Sequence, residues 1–311
     1  MVQSLGYESV STEGAIRVPY VGPPKPSPIE DTSWTGFMHH NGHLSSSPTT
    51  PEPDFASQAP ALLAALGDTP ETVISRHAIQ SGQCSVLVGG HAAHFEALIV
   101  QSDDVPDEPT AYGSSAEEIA ALLPHLQGWA CLNVPQDLAD DLINAVAEAA
   151  GASGMRMLDD VFHTLTEPPA DPKESRARLL TLDDRDLVRT TSSDLIGNGV
   201  DRILETLGWG HVAGVVEGGT LVSIAYTYAQ SERHADIGVA THPDYRERGY
   251  GTAAGSLVAR AIQASGRIPV WSTGGTNLAS LRAAARIGFI EVSRRVYLIP
   301  EFDDEPDQHD G

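Results

Sequence analysis

Residues 243–255 read PDYRERGYGTAAG. Two arginines, Arg246 and Arg248, stand just ahead of Gly249 and Gly251, and small residues follow. Ala254, Leu257, Val258, Ala261 and Ile262 recur at helical spacing, which predicts a helix packed by one face on a sheet. The first turn of any helix carries N–H groups with no intrahelical acceptor, and glycine lets a backbone approach a ligand closely. Helix dipole, free N–H groups and two guanidinium groups together make a cradle for phosphate.

Two phosphate cradles do not fit. A Walker A loop ends in Gly-Lys-Ser/Thr, and no lysine follows Gly251. A dinucleotide fingerprint has G-x-G-x-x-G, whereas Gly249, Gly251 and Gly255 are one residue too widely spaced. The unit around the motif also opens with a hairpin, HVAGVVEGGTLVSIAYTYAQ, whose tip is Gly218-Gly219. The strand ADIGVAT, the motif and its helix, the strand IPVWST, the helix NLASLRAAARIG and the strands FIEVS and RRVYLI follow. Antiparallel pairs first and strand–helix–strand–helix afterwards predict a mixed α/β sheet.

Upstream, residues 59–168 predict another α/β unit. PALLAALG reads as a helix, CSVLVGG and HFEALIVQS as hairpin strands, and SSAEEIAALLPHL as a serine-capped helix with an acidic first turn. GWACLNVP reads as a strand, QDLADDLINAVAEAAG as a helix stopped by Gly151, and RMLDDVFHTL as a last strand. Residues 1–58, rich in Pro, Ser, Thr and Gly, are expected to be disordered or loosely docked. Residues 169–177 form the linker, 178–300 the second unit and 301–311 an acidic tail. SSDLIGNGVDRILETLGWG, early in the second unit, reads as helix interrupted near Gly197 to Gly199.

The 311 residues carry a formal net charge of −23, which repels nucleic acid and anionic membranes and reads either as a solubility or salt-adaptation feature or as suited to a cationic substrate. No apolar run is long enough to span a bilayer, and no secretory signal opens the chain. Cys84 and Cys131 make neither a disulfide framework nor a zinc motif. A cytoplasmic, metal-free protein is expected. His39, His40 and His43 lack a carboxylate or thiolate partner at useful spacing and read as solvated. His91 and His94 flank a turn, Asp159 and Asp160 read as strand-edge charges, and Ser192 to Asp194 as a helix cap.

Arg246-Glu247-Arg248-Gly249-Tyr250-Gly251 resembles the Arg/Gln-x-x-Gly-x-Gly/Ala motif of the GNAT superfamily of acyl-CoA-dependent N-acyltransferases. Asn277, the helix after it and Gly288-Phe289 resemble that family's second motif in the right order. The resemblance covers about residues 178–299. It implies a GNAT-type fold with splayed central strands, and the N-terminal unit is read as a diverged copy.

The resemblance further implies that acetyl-CoA is bound by the N–H groups of Arg248, Gly249, Tyr250, Gly251 and Thr252, with Arg246 or Arg248 adding charge. A backbone N–H among Val239, Ala240 and Thr241 would polarise the thioester carbonyl. Asn277, and Ser280 as a second contact, would hold the pantetheine arm. Asp236 is the candidate general base, with Glu232, His234 and His242 nearby. The family's usual tyrosine, seven residues after the motif Asn, is replaced by Ala284, leaving Tyr226, Tyr228 and Tyr297 as substitutes by residue type only. The expected activity is acetyl transfer to a primary amine of a small molecule or peptide. A non-catalytic acetyl-CoA sensor is the alternative. The N-terminal unit is expected to complete a substrate cleft or to mediate homodimerisation.

Overall fold

The computed structural model describes residues 15–16, 55–169, 176–197 and 199–303. His39, His40 and His43 lie outside the described residues. A two-residue strand, β1 (Ala15–Ile16), is followed by helices α1 (Phe55–Leu66) and α2 (Val73–Ser81). Strands β2 (Cys84–His91), β3 (His94–Ser102) and β4 (Thr110–Gly113) lead into α3 (Ala116–Leu122), β5 (Leu132–Pro135), α4 (Ala139–Ala150) and β6 (Gly154–Thr164). The second half runs β7 (Ala177–Leu180), α5 (Arg185–Arg189), α6 (Ser193–Ile196), α7 (Val200–Trp209), β8 (Val212–Glu217), β9 (Thr220–Gln230) and β10 (His234–Thr241). It closes with α8 (Tyr250–Ala264), β11 (Ile268–Gly274), α9 (Leu278–Ile287) and β12 (Ile290–Glu301).

Local chemistry sets several boundaries. Gly151 adopts φ 66 and ends α4, as its position predicts. The Ser115 hydroxyl caps α3 by accepting from Glu118 N–H, and Ser192 accepts from Asp194 N–H. Gly197 ends α6 and Gly199 caps α7, the interruption expected there. Several elements escape the sequence reading, β1 and β7 among them. In α2, Ser75 and Arg76 are buried polar residues, so the apolar period is broken. β4 and α5 are only four and five residues long.

All strands join one mixed sheet in the order β1-β2-β3-β4-β5-β12-β6-β11-β10-β9-β8-β7. Each half follows the same path: an antiparallel hairpin, a third strand, a helix, a strand parallel to that third one, a helix and a last strand. The last strands are exchanged. β6 pairs with β11 of the other half, from Val270↔Thr164 to Gly274↔Asp160. β12 inserts between β5 and β6, pairing Leu298 with both Leu132 and Met157. The segments FIEVS and RRVYLI, expected as two strands, are therefore one. A bulge between Glu291 and Ser293 lets it follow β6 throughout.

The exchange also corrects the reading of Asp160 as an edge charge. β6 is central, and Asp160 is buried, accepting from Asn133 Nδ2 at 2.8 Å. Asp159, half exposed, pairs with Arg294 at 2.6 Å. Both thiols are buried, and burial pushes Cys84 up to about 12 and Cys131 well above its usual range.

Helices cover both faces of the sheet. α8 packs through Ala253, Ala254, Val258, Ala259 and Ile262 on Val215, Val222, Ala225 and Ile237. Its buried face is thus turned from the predicted one, toward Ala253 and Ala259, with Leu257 at the margin. On the other face Ile203 of α7 packs on Val212, Leu221 and Ile224. In the first half, Ile119, Leu142 and Val146 meet Ile99, Leu132 and Val134 together with Val296 and Leu298 of β12. Polar ties add to the strand exchange. Asp68 accepts from Ser231 Oγ (2.7 Å) and Arg233 N–H (3.0 Å) and contacts His234 Nδ1 at 2.7 Å. Arg202 of α7 reaches Asp104 at 2.5 Å.

Because β12 supplies core to the first half, the two halves should unfold together. Leu298→Ala is expected to remove about 2–5 kcal/mol and to shift the urea transitions seen by far-UV circular dichroism and by tryptophan fluorescence equally. Separate transitions would contradict this coupling.

Candidate functional site

β10 and β11 run parallel but share only three register pairs, His234↔Ile268, Ala235↔Pro269 and Asp236↔Val270. From Ile237 and Trp271 onward they diverge, which gives the splay expected from the resemblance. Asp236 sits at the fork. Its Oδ1 accepts from Ser272 N–H at 3.2 Å and its Oδ2 from Ser272 Oγ at 3.0 Å. Burial pushes this carboxyl up to about 7, against the pull of the two Ser272 hydrogen bonds.

The β9–β10 ladder decides which backbone groups line the opening. His242 N–H donates to Val222 O at 3.0 Å. Antiparallel pairs alternate, so Ala240 and Gly238 also turn their N–H groups toward β9. Val239 and Thr241 turn theirs to the splayed side. The Thr241 hydroxyl is held by Ser223 Oγ at 2.8 Å.

The turn after β10 is unusual in its backbone. Glu247 is the only non-glycine residue at positive φ among those described, at 63°, and Gly249 has φ 78. No side chain caps α8. Its first bond outside the ladder is Ala253 N–H to Gly249 O at 3.0 Å, so the N–H groups of Tyr250, Gly251 and Thr252 have no helical acceptor. Arg248 and Gly249 lie just ahead of them. A Cβ on Gly251 would lie 3.0 Å from Thr241 Oγ1 and 3.2 Å from Val239 Cγ1. Glycine there lets the helix start press against the splayed strand.

Arg246 and Arg248 are exposed and have no carboxylate partner among the described residues. Arg248 Nη2 donates to Asp244 O at 2.9 Å, and its guanidinium lies 4.8 Å from the Tyr245 ring centre. The Tyr250 side chain points elsewhere: its hydroxyl donates to Glu217 at 2.8 Å, so only its backbone is available.

Across the opening, Asn277 caps α9 by accepting from Ser280 N–H at 3.1 Å, which leaves its Nδ2 free for other use. The Ser280 hydroxyl accepts from Trp271 Nε1 at 2.9 Å and anchors that ring. Ala284 is fully buried between α9 and α8.

The other candidates are drawn away. Glu232 pairs with Arg76 at 2.6 Å, and His234 is buried against Asp68. His242 Nδ1 accepts from Asp244 N–H at 3.3 Å. Tyr297 lies on β12 opposite Asn133, and Tyr228 lies beneath Arg202 with 3.8 Å to its ring centre. Tyr226 packs on Gly238, beside the splay. Ser272 is the residue that sequence reasoning missed. Nothing in its spacing marks it, since its partnership with Asp236 depends on two strands separated by α8.

The first half has no such cradle. β4 and β5 share one parallel pair, Thr110↔Asn133. Arg295 fills their opening, bonding Ala111 O and Asn133 Oδ1. The helix that follows is capped by its own Ser115, and Glu117 and Glu118 occupy its first turn, which disfavours an anion. A cleft of ≈ 770 Å3 lined by His77, Gln80, Trp209 and Arg267 lies at the opposite end of β10 from the splay.

Residues 204–297 match the family model for GNAT acetyltransferases. Similar solved structures include a GCN5-related N-acetyltransferase-like protein from Streptococcus suis 89/1591. It is 20% identical, covers 79% of this chain and 100% of that one, and has a TM-score of 0.55. A GNAT-family acetyltransferase from Colwellia psychrerythraea is 13% identical, covers 79% and 95%, and has a TM-score of 0.53. A tandem GNAT protein from the clavulanic acid biosynthesis pathway is 15% identical, covers 81% and 96%, and has a TM-score of 0.51. At these identities the structures speak to the fold. No curated protein matches the chain. The matched segment and the fold together support the GNAT superfamily and, generally, acyltransferase activity. No helix among the described residues is long and apolar enough to cross a membrane, and no group of three or more His, Cys, Asp or Glu among them is arranged to hold a metal.

Asp236 has a folded-state pKa raised from 3.8 to about 7, so its neutral form is favoured by folding. Its contribution to stability is complete below about pH 4 and is lost as pH rises through about 7. Asp236→Asn should therefore flatten the fall in unfolding free energy over that window. An unchanged slope in denaturant titrations across it would contradict the burial of an ionisable carboxyl there.

Proposed function

We propose that the chain is an acyl-CoA-dependent N-acyltransferase with its donor site in the second half. The observation that carries this is the uncapped start of α8, pressed by Gly251 against a strand that has parted from its neighbour. The N–H groups from Arg248 to Thr252 bind the pyrophosphate, and Arg246 and Arg248 add charge-assisted contacts. The open edge of β10 pairs with the pantetheine arm, and Asn277 bonds it from across the cleft. The fit rests on the free N–H groups and on the absence of carboxylates bonded to either arginine.

Acetyl-CoA supplies an activated thioester: an N–C bond forms as the C–S bond breaks. The N–H of Val239 or Thr241, rather than that of Ala240, stabilises the charge developing on the carbonyl oxygen. Asp236, poised near neutral pH at the fork, takes the proton lost by the primary amine. The thiolate, with an ordinary pKa of about 8.5, leaves without a tyrosine donor and takes its proton from water. The negative surface suits an amine-bearing small molecule or peptide and does not suit nucleic acid or an anionic membrane. The first half is a diverged copy of the same fold, a reading supported by the matching path of its elements and by whole-chain likeness to a tandem GNAT protein. It completes the acceptor side through α2 and the Asp104 loop. We place the protein in the cytoplasm.

Ala284, buried where the family's tyrosine would stand, favours a second reading as a non-catalytic acetyl-CoA sensor.

Acetyl-CoA is expected to raise the melting temperature, and Gly251→Val to abolish that rise while the protein remains folded. Arg246→Ala and Arg248→Ala should each weaken binding by roughly tenfold. A retained shift in Gly251→Val would remove the cradle assignment.

Release of free CoA thiol over an amine panel distinguishes the enzyme from the sensor. Asp236→Asn should lower kcat by about 10²–10⁴-fold with donor affinity unchanged. Donor binding without thiol release for any amine would favour the sensor.

A further inference from the structure

The opening between β4 and β5 contains a buried cation with no salt bridge: Asp160, opposite it in the ladder, reaches it only through the Asn133 side chain. Arg295 is 6% exposed. Its Nε donates to Asn133 Oδ1, and its Nη2 to Ala111 O and, at 3.3 Å, to Asn133 O. Its guanidinium lies 4.7 Å from the Tyr112 ring centre. Nη1 makes no hydrogen bond to any described residue, and Arg295 forms no salt bridge with any of them. Buried cations are ordinarily paired, because neutral dipoles alone replace their hydration poorly.

Arg295 lines a cleft of ≈ 640 Å3 at the carboxyl ends of β4 and β5, together with Thr69, Glu71, Tyr112, Asp137 and Arg294. Such crevices, at the carboxyl ends of parallel strands, are where α/β sheets take ligands, and the volume lies in the range of small-molecule sites. Arg294 is already engaged by Asp159 and Glu291. Glu71, half-buried, forms no salt bridge with any described residue, although it feels the Arg295 charge. One guanidinium nitrogen without an acceptor, Nη1, and one carboxylate held by hydroxyls but by no cation thus line a single cleft without forming a salt bridge with each other.

We propose that this cleft is a binding site for a free α-amino acid, whose carboxylate pairs with Arg295 and whose ammonium group pairs with Glu71. The two N–H groups of Nη1 can donate charge-assisted hydrogen bonds to a carboxylate. Phosphate fits worse, because Glu71 and Asp137 would repel a dianion. An acyl-CoA fits worse as well, since Arg295 already holds the Ala111 carbonyl and Glu117 and Glu118 stand where a pyrophosphate would lie. The site is independent of the donor site assigned above.

Isothermal titration of the full chain without acetyl-CoA, against the free amino acids, tests the proposal. The C-terminal amides, the N-acetyl derivatives and inorganic phosphate serve as comparison ligands. At least one free amino acid should bind with one-to-one stoichiometry. Its amide and its N-acetyl derivative should each bind about tenfold or more weakly, the loss expected for one charge-assisted contact. Glu71→Gln should weaken the same ligand about tenfold, and Gly251→Val should leave it unchanged. Arg295→Lys, checked for folding by circular dichroism, should also bind weakly; if it does not fold, Glu71→Gln alone decides. Failure of every free amino acid to bind, tighter binding of phosphate, indifference to Glu71→Gln, or loss of binding in Gly251→Val would each overturn the assignment.

Discussion

The ladder between β6 and β12, from Ile290↔Thr164 to Glu301↔Gly154, holds the rest of the molecule in place. Each strand ends one half of the chain, and each pairs with a strand of the other half. Were the two strands to part, the sheet would split in two, with β12 left on β5 and β6 left on β11, and each part would expose a strand edge. Two long exposed edges are unfavourable, so the ladder couples the halves more firmly than their surface ion pairs do.

The same ladder sets the character of the two openings in the sheet. In the second half β11 is held by β6 on one side and is free to leave β10 on the other beyond Val270. Asp236 and Ser272 bridge the fork, and burial pushes the Asp236 carboxyl up to about 7 against the pull of those hydrogen bonds. In the first half β12 carries Arg295 into the corresponding place, where it engages Ala111 O and the Asn133 side chain. One opening faces an uncapped helix with two arginines beside it, and the other faces a capped helix with two glutamates. The charge at each helix start makes the two openings electrostatically unlike.

Much of the second half was legible in sequence because its signals are local. The glycines, the arginines and the small-residue helix of residues 243–255 lie within one turn and one helix. The hairpin tip at Gly218-Gly219 and the stop at Gly151 depend on single residues with positive φ. Other features were hidden because their partners are distant in the chain. Ser272 meets Asp236 across 36 positions, and Arg295 meets Ala111 across 184. Asp160 looked like an edge charge because nothing near it in sequence indicates that β6 is flanked on both sides.

The sequence by itself determined the local elements of the proposed donor cradle, since glycine conformation, helix capping and residue charge act over a few neighbouring positions. The tertiary structure alone decided which of the backbone groups at Val239, Ala240 and Thr241 turn toward the splay, because strand register sets that choice. It also decided that the final strands are exchanged and that Arg295 is buried without a salt bridge. Those outcomes depend on contacts between segments far apart in the chain, and no local pattern encodes them.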